Sequence, residues 1–109
     1  MRESAIEKRL REEVKNIGGI CLKFVPIHYI GFPDRICLVP FGIMKLVELK
    51  KKNAKPRKIQ LVVHRKLVKL GFEVIIIDSI EKVKEFIENV KREQSTHISK
   101  GVGKTHTKT

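Results

Sequence analysis

Residues 31–50 read Gly31-Phe32-Pro33-Asp34-Arg35-Ile36-Cys37-Leu38-Val39-Pro40-Phe41-Gly42-Ile43-Met44-Lys45-Leu46-Val47-Glu48-Leu49-Lys50. Ile36 to Val39 has the character of a β-strand, Pro40-Phe41-Gly42 that of a turn, and Ile43 to Leu49 that of a second strand. A turn centred on Phe41 pairs residue 34 with residue 48. Directly opposed Cα atoms in such a hairpin lie about 4.5–5.5 Å apart, with both side chains on one face. Asp34 and Glu48 at that separation repel unless a cation sits between them, and a pocket lined by oxygens suits Mg²⁺ or Mn²⁺. Lys50 lies two positions beyond Glu48 and shares its face. Its ammonium is placed to steady an attacking water or the charge developing on a phosphorane. Asp34, Glu48 and Lys50 together make a compact set for metal-dependent phosphodiester cleavage.

The same residues on a solvated surface hairpin would be ordinary ion-pairing groups. Their neighbours argue against that. Ile36, Leu38, Met44 and Leu46 share their face, while Cys37, Val39, Ile43, Val47 and Leu49 fill the other. Both faces are apolar enough to be covered, and charges at one end of such a strip need partners or a metal.

Further motifs extend the pattern along the chain. In order they are Glu3-Ser4-x-Ile6-Glu7-x-x-Leu10, Gly18-Gly19, Gly31-x-Pro33-Asp34-Arg35, Glu48-Leu49-Lys50, Gln60-x-x-x-His64 and Gly71. This succession resembles the VRR-Nuc family of the PD-(D/E)XK nuclease superfamily, and the resemblance spans roughly residues 3 to 90. It implies an α/β fold with a restriction-endonuclease-like αβββαβ core, a mixed sheet flanked by helices. It also implies a divalent-metal-dependent DNA endonuclease whose products carry 5′-phosphate and 3′-hydroxyl ends. Small stand-alone members are associated with phages and mobile elements and act as homodimers on branched DNA, including four-way (Holliday) junctions. Residue by residue, the resemblance makes Glu3 the helix-one metal ligand and Glu7 a position often held by Glu or Gln. It suggests the Leu49 carbonyl as a further metal donor and puts Gln60 at the edge of the active site. Phe32 departs from the pattern, standing where the family often has a smaller residue.

Composition agrees with a polyanionic partner. The 109 residues carry 24 Lys and Arg against 12 Asp and Glu, a formal net charge of +12, and 41% are hydrophobic. That length makes one domain, and that charge points first to nucleic acid. An anionic membrane surface is disfavoured, because no basic amphipathic helix with aromatic anchors is present. No apolar run approaches the roughly 20 residues of a membrane span, and the N-terminus lacks a signal-peptide core. Cys21 and Cys37 have no metal-ligand spacing and read as reduced core thiols, so a cytoplasmic protein is expected.

The elements follow from periodicity. A first helix is expected from about Ser4 to Ile17, with Ile6, Leu10, Val14 and Ile17 inward. Ser4-x-x-Glu7 has the form of a capping box, a structural reason for Glu7, whereas Glu3 sits on the inward stripe near the helix start. Glu3 is therefore preferred to Glu7 as the metal ligand. Ile20 to Val25 reads as a strand, and Pro26 to Phe32 as a loop whose aromatics stack on distorted bases or pack into the core. Lys51, Lys52, Lys55, Arg57 and Lys58 form the densest basic run and, lying just beyond Lys50, are candidates for phosphate contacts. A second helix from about Pro56 to Leu70 has Ile59, Val63, Leu67 and Leu70 as its expected core face. Gln60 and His64, four apart, share one flank, where His64 is a candidate substrate contact. Phe72 to Ile77 is a strand parallel to the second hairpin strand. A last helix starts at Ser79, with an apolar stripe of Val83, Phe86, Ile87 and Val90. That stripe or the hairpin edge is the expected dimer contact. The nuclease domain is placed at residues 1–94, and residues 95–109, with three lysines and no acid, read as a disordered basic tail.

Two other classes fit parts of the pattern. A nuclease-fold module that binds nucleic acid without cutting it has no need of Asp34, Glu48 and Lys50 together. A docking subunit leaves the basic run unexplained. Flaps are an alternative branched substrate.

Overall fold

The computed structural model describes residues 3–99, with side chains for residues 4–97. Its elements run α1 (Glu3–Asn16), β1 (Ile20–Lys23), β2 (Arg35–Val39), β3 (Ile43–Leu49), α2 (Lys58–Lys69), β4 (Val74–Ile77) and α3 (Ile80–Ser99). The strands lie in one sheet in the order β1-β2-β3-β4. β1, β2 and β3 pair antiparallel, and β4 joins β3 in parallel. This is the αβββαβ order expected from the sequence, followed by one more helix.

The hairpin register is the one the turn dictates. Val39 pairs with Ile43 and Arg35 with Val47, so the sequence numbers of paired residues sum to twice 41 and Asp34 falls opposite Glu48. The turn requires left-handed backbone at Phe41 (φ 76°) and Gly42 (φ 71°). That conformation is costly for a residue with a Cβ. The Phe41 ring lies parallel to the His97 ring of α3, with centroids 6.0 Å apart.

Side-chain alternation then sorts the two faces. Cys37, Val39, Ile43, Val47, Leu49 and Ile77 meet Ile6, Leu10 and Val14 of α1 and Val83, Phe86, Ile87 and Val90 of α3 in the main core. Burial of each such aliphatic side chain stabilises the fold by about 1.5–3 kcal/mol. The opposite face is thinner. There Leu46 packs with Val63 and Leu67 of α2, flanked by Phe32, Ile36 and Val74.

Several sequence expectations need correction. β1 stops at Lys23 rather than Val25; the Phe24 N–H still donates to the Asp34 carbonyl (2.9 Å), the partner that the β1–β2 register gives it, and the pairing ends there. The core face of α2 is Gln60, Val63, His64 and Leu67. Ile59 and Leu70, expected inside, are exposed at 42% and 72%, because the helix is rotated to bring the polar pair beneath the sheet. The stripe on α3 is buried in this chain's own core, and the hairpin is flanked by β1 and β4, so neither surface named for a dimer is free. α3 continues to Ser99, five residues beyond the expected boundary at 94. The remainder of the predicted tail, 100–109, lies outside the described residues.

Gly19, in the turn from α1 into β1, runs hard against β2. A Cβ there would stand 2.5 Å from the Leu38 carbonyl oxygen and 2.7 Å from Val39 Cγ1. At Gly42 a Cβ would meet nothing within 4 Å, and only the positive φ opposes it. Gly19→Ala is therefore expected to cost about 1–3 kcal/mol by overpacking, and more than Gly42→Ala. Thermal melts of the two variants against the parent check this order.

Candidate active site

The hairpin delivers the acidic pair to one end of the sheet, on the face that carries α2. Asp34 stands just before β2. Its Oδ1 accepts a hydrogen bond from the Leu49 N–H at 3.1 Å, which ties the carboxylate to the end of β3. Glu48 is buried, with 3% of its surface exposed. Its Oε2 accepts a hydrogen bond from Gln60 Nε2 at 3.0 Å and lies 3.7 Å from Lys50 Nζ. Its Oε1 is buried and has no partner. Burial, and next the Asp34 charge, push the Glu48 carboxyl up from an ordinary 4.5 to about 7, against the opposing pull of Lys50 and Gln60. A carboxylate that is desolvated, repelled by a neighbour and short of one partner is one that a cation would satisfy.

Gln60 is held by the start of α2. Its Oε1 accepts a hydrogen bond from the Arg57 N–H at 2.8 Å, the back-reach of a residue in the first helical turn to its cap. An N–H can only donate, so the amide oxygen is used there and the NH₂ must face Glu48. The sequence placed Gln60 near the site but gave no sign of this lock.

His64 lies one turn further along α2 and is 7% exposed, with Nε2 buried and unpartnered. Desolvation, and then the nearby Lys50 charge, hold its imidazole below the ordinary range. It is largely buried in the α2 layer, where it also lines a cavity with Leu61, Arg65, Val68 and Lys69. Lys51, Lys52, Lys55, Arg57 and Lys58 are all exposed on the segment that leads from β3 into α2. Arg57 also lines the cavity that contains Asp34, Glu48 and Gln60.

The two helix-one glutamates separate. Glu7 pairs with Arg11 at 2.8 Å and with Arg35 at 3.6 Å. Arg35 follows Asp34 in an extended strand, so its side chain points to the opposite face; Glu7 accordingly stands across the sheet from the acidic pair. The Glu3 side chain lies outside the described residues. Among the described residues, no group of three or more His, Cys, Asp and Glu could hold a metal ion; the acidic side chains gathered at this end of the sheet are Asp34 and Glu48.

The wall opposite these residues is the loop whose aromatics the sequence singled out, together with aliphatic residues it did not. Phe24, Val25, Pro26, Ile27, Tyr29 and Ile30 form it, around a cavity of about 440 Å³. The signal was present as a run of apolar residues with neither helical nor strand periodicity.

The known proteins that resemble this chain agree on one class. Over 79 residues it is 46% identical to "Putative nuclease p44" of Acyrthosiphon pisum secondary endosymbiont phage 1, a match covering 72% of this chain and 85% of that protein. A solved structure described as a VRR_NUC domain superposes with a TM-score of 0.74 at 31% identity, over 79% of this chain and 94% of that one. No family model matches. The protein is a nuclease with a restriction-endonuclease-like α/β fold. It belongs to the VRR-Nuc family, in the small form represented by the phage relative.

The raised Glu48 carboxyl has a consequence for stability. Between about pH 4.5 and 7 the folded protein keeps a proton that the unfolded chain has released, so metal-free stability falls as pH rises through that window. Glu48→Gln removes the titrating group and should flatten the fall. In EDTA, the variant's advantage over the parent is expected to grow by about 2 kcal/mol between pH 5 and pH 8. Urea denaturation at the two pH values measures it; an equal decline in both proteins contradicts the assignment.

Proposed function

We propose that this nuclease is a divalent-metal-dependent, structure-selective DNA endonuclease that cuts branched DNA, four-way junctions first, as a homodimer. The observation that carries the metal dependence is the buried, unpartnered Glu48 Oε1 opposite Asp34. Asp34, Glu48, the Leu49 carbonyl and Glu3 would hold Mg²⁺ or Mn²⁺. When bound, such an ion polarises the scissile phosphate and lowers the pKa of an attacking water. Lys50 orients that water and balances negative charge as it develops. Gln60, locked by the Arg57 N–H, fixes the Glu48 carboxylate. Burial and the Lys50 charge both disfavour a further positive charge on His64. A module that only bound DNA would gain nothing from burying Glu48 beside Asp34, an arrangement that costs stability without a cation.

Lys51, Lys52, Lys55, Arg57 and Lys58 hold the phosphate backbone next to this site. Resolving a four-way junction needs two cuts of matched polarity, and a two-fold dimer supplies two sites in that relation. With the α3 stripe and the hairpin edge occupied, the surface that best fits a contact is the side of the sheet at the outer strand β1. There Ile20, Leu38 and Met44 form an uncovered row, exposed at 54%, 38% and 44%, and β1 has a free backbone edge. Among the described residues no helix is long and apolar enough to cross a membrane.

Cleavage is expected to require Mg²⁺ or Mn²⁺ and to vanish in Asp34→Ala, Glu48→Ala and Lys50→Ala while DNA binding persists. Incubation with linear, nicked, flap and four-way DNA, with Mg²⁺ or with EDTA, tests this directly, and full activity in EDTA would end it. Neutralising two of Lys51, Lys52, Lys55 and Lys58 should weaken binding to all sequences alike. The slope of log affinity against log salt should fall by roughly one for each lysine–phosphate interaction removed. Light scattering should return twice the chain mass of 12.6 kDa; a strict monomer that nicks linear duplex as readily as a junction would overturn the branched-DNA assignment.

A further inference from the structure

The segment between β1 and β2 turns apolar side chains outward beside the acidic pair. Ile27 is 88% exposed, Ile30 71% and Val25 66%. A slack loop would fold such side chains inward, and this one is held from behind. Gly31, at φ +93°, runs so close to α2 that a Cβ would stand 2.9 Å from the Ile59 carbonyl oxygen. Phe32 packs against the Leu46, Val63 and Leu67 cluster. The rings of Phe24 and Tyr29 meet the Phe32 ring edge-on, with centroids 5.4 Å and 6.2 Å away. Pro33 is fully buried. The aliphatic groups are thus presented on a stiff base, and exposed apolar groups so grouped mark a binding surface.

What covers them is indicated by their position and by the charges nearby. The loop forms one wall of the cavity whose other wall carries Asp34, Glu48, Gln60 and Arg57. A nucleotide with its phosphate at the acidic pair therefore brings its base towards the loop. On the loop's other side, Ile30 and Tyr29 share a groove with Lys66. Apolar surface bordered by cations matches stacked bases bordered by phosphates. A second copy seated on this loop would bring cations of its own up to Arg57 and Lys66, which border it.

We propose that Val25, Ile27 and Ile30 form a wedge that enters the base stack where strands part, making this loop the element that selects branched DNA. This rests on the nuclease function proposed above and adds the part of the substrate that is recognised. An aliphatic side chain entering a stack must unstack a base step. The cost is least where pairing is already interrupted, so the wedge favours junctions over continuous duplex. No atom of it takes part in the cleavage chemistry.

The test is Ile27→Ser combined with Ile30→Ser, two changes at exposed positions, with Ile27→Leu plus Ile30→Leu as the conservative control. Two quantities are read. The first is the ratio of cleavage rates on a four-way junction and a linear duplex in Mg²⁺. The second is the fluorescence of a purine analogue at the branch point, which brightens on unstacking, measured with Glu48→Gln added so that no strand is cut. The serine variant should lose the brightening and about tenfold in the rate ratio, in keeping with the worth of a base-stacking contact; the leucine variant should keep both. An unchanged ratio with unchanged brightening overturns the wedge. So does a serine variant that becomes monomeric by light scattering, which would make the loop a contact between subunits. If the parent cuts none of the DNAs yet still brightens the probe, the cleavage assignment fails and the wedge stands.

Discussion

The pairing of β2 with β3 is the constraint on which the rest depends. Side chains alternate along a strand with a period of two, so a slip of one residue would turn a whole strand's set to the other face. With Val39 against Ile43 and Arg35 against Val47, Asp34 and Glu48 oppose each other, and Cys37, Val39, Ile43, Val47 and Leu49 all enter the main core. One register satisfies both the core and the acidic pair. The left-handed pair Phe41-Gly42 sets it, and the Phe41–His97 stack ties that turn to the end of α3. The last turns of α3 are therefore linked to the site through the hairpin, although they stand at its far end.

Legibility in the sequence tracked how local the cause was. The hairpin register, the parallel β3–β4 pairing and the stripes of α1 and α3 follow from turn chemistry and periodicity, and each was readable. The orientation of α2 was not. Ile59 and Leu70 have the apolarity of core residues, yet the helix buries Gln60 and His64 in preference. Buried Glu48 is what makes a polar face of α2 the better fit, and that pairing joins residues twelve apart across two elements. Likewise the expected capping box does not account for Glu7: Ser4 already lies inside α1, and Glu7 pairs with Arg11 and with Arg35 of β2, a long-range partner the sequence did not reveal. The family resemblance supplied the role of Gln60; the hydrogen bond from the Arg57 N–H supplies its mechanism.

The two faces of the sheet divide the work unequally. The face under α1 and α3 buries thirteen residues in one apolar cluster, and the face under α2 buries three. A thin apolar layer is a poor source of stability but a tolerant place for polar groups. Glu48, Gln60 and His64 all occupy it, together with the unpartnered Glu48 Oε1 and His64 Nε2. Strain of this kind is sustainable only where the rest of the structure over-determines the fold. The thick face does that, with Ile6, Leu10 and Val14 holding α1 onto it.

That division also bears on why the chain is so basic. The acidic pair is a local negative spot that would repel a phosphate. A net charge of +12 reverses the sign of the field at longer range, drawing a polyanion in before the short-range repulsion is felt. In the proposed reading, the exposed lysines between β3 and α2, immediately after Lys50, are where that attraction would become contact. Lys50 itself is different in kind. Next to Glu48 and two positions further along the chain, it answers the acidic charge from within the site. The lysines of the basic run, by contrast, are exposed on the surface beyond it.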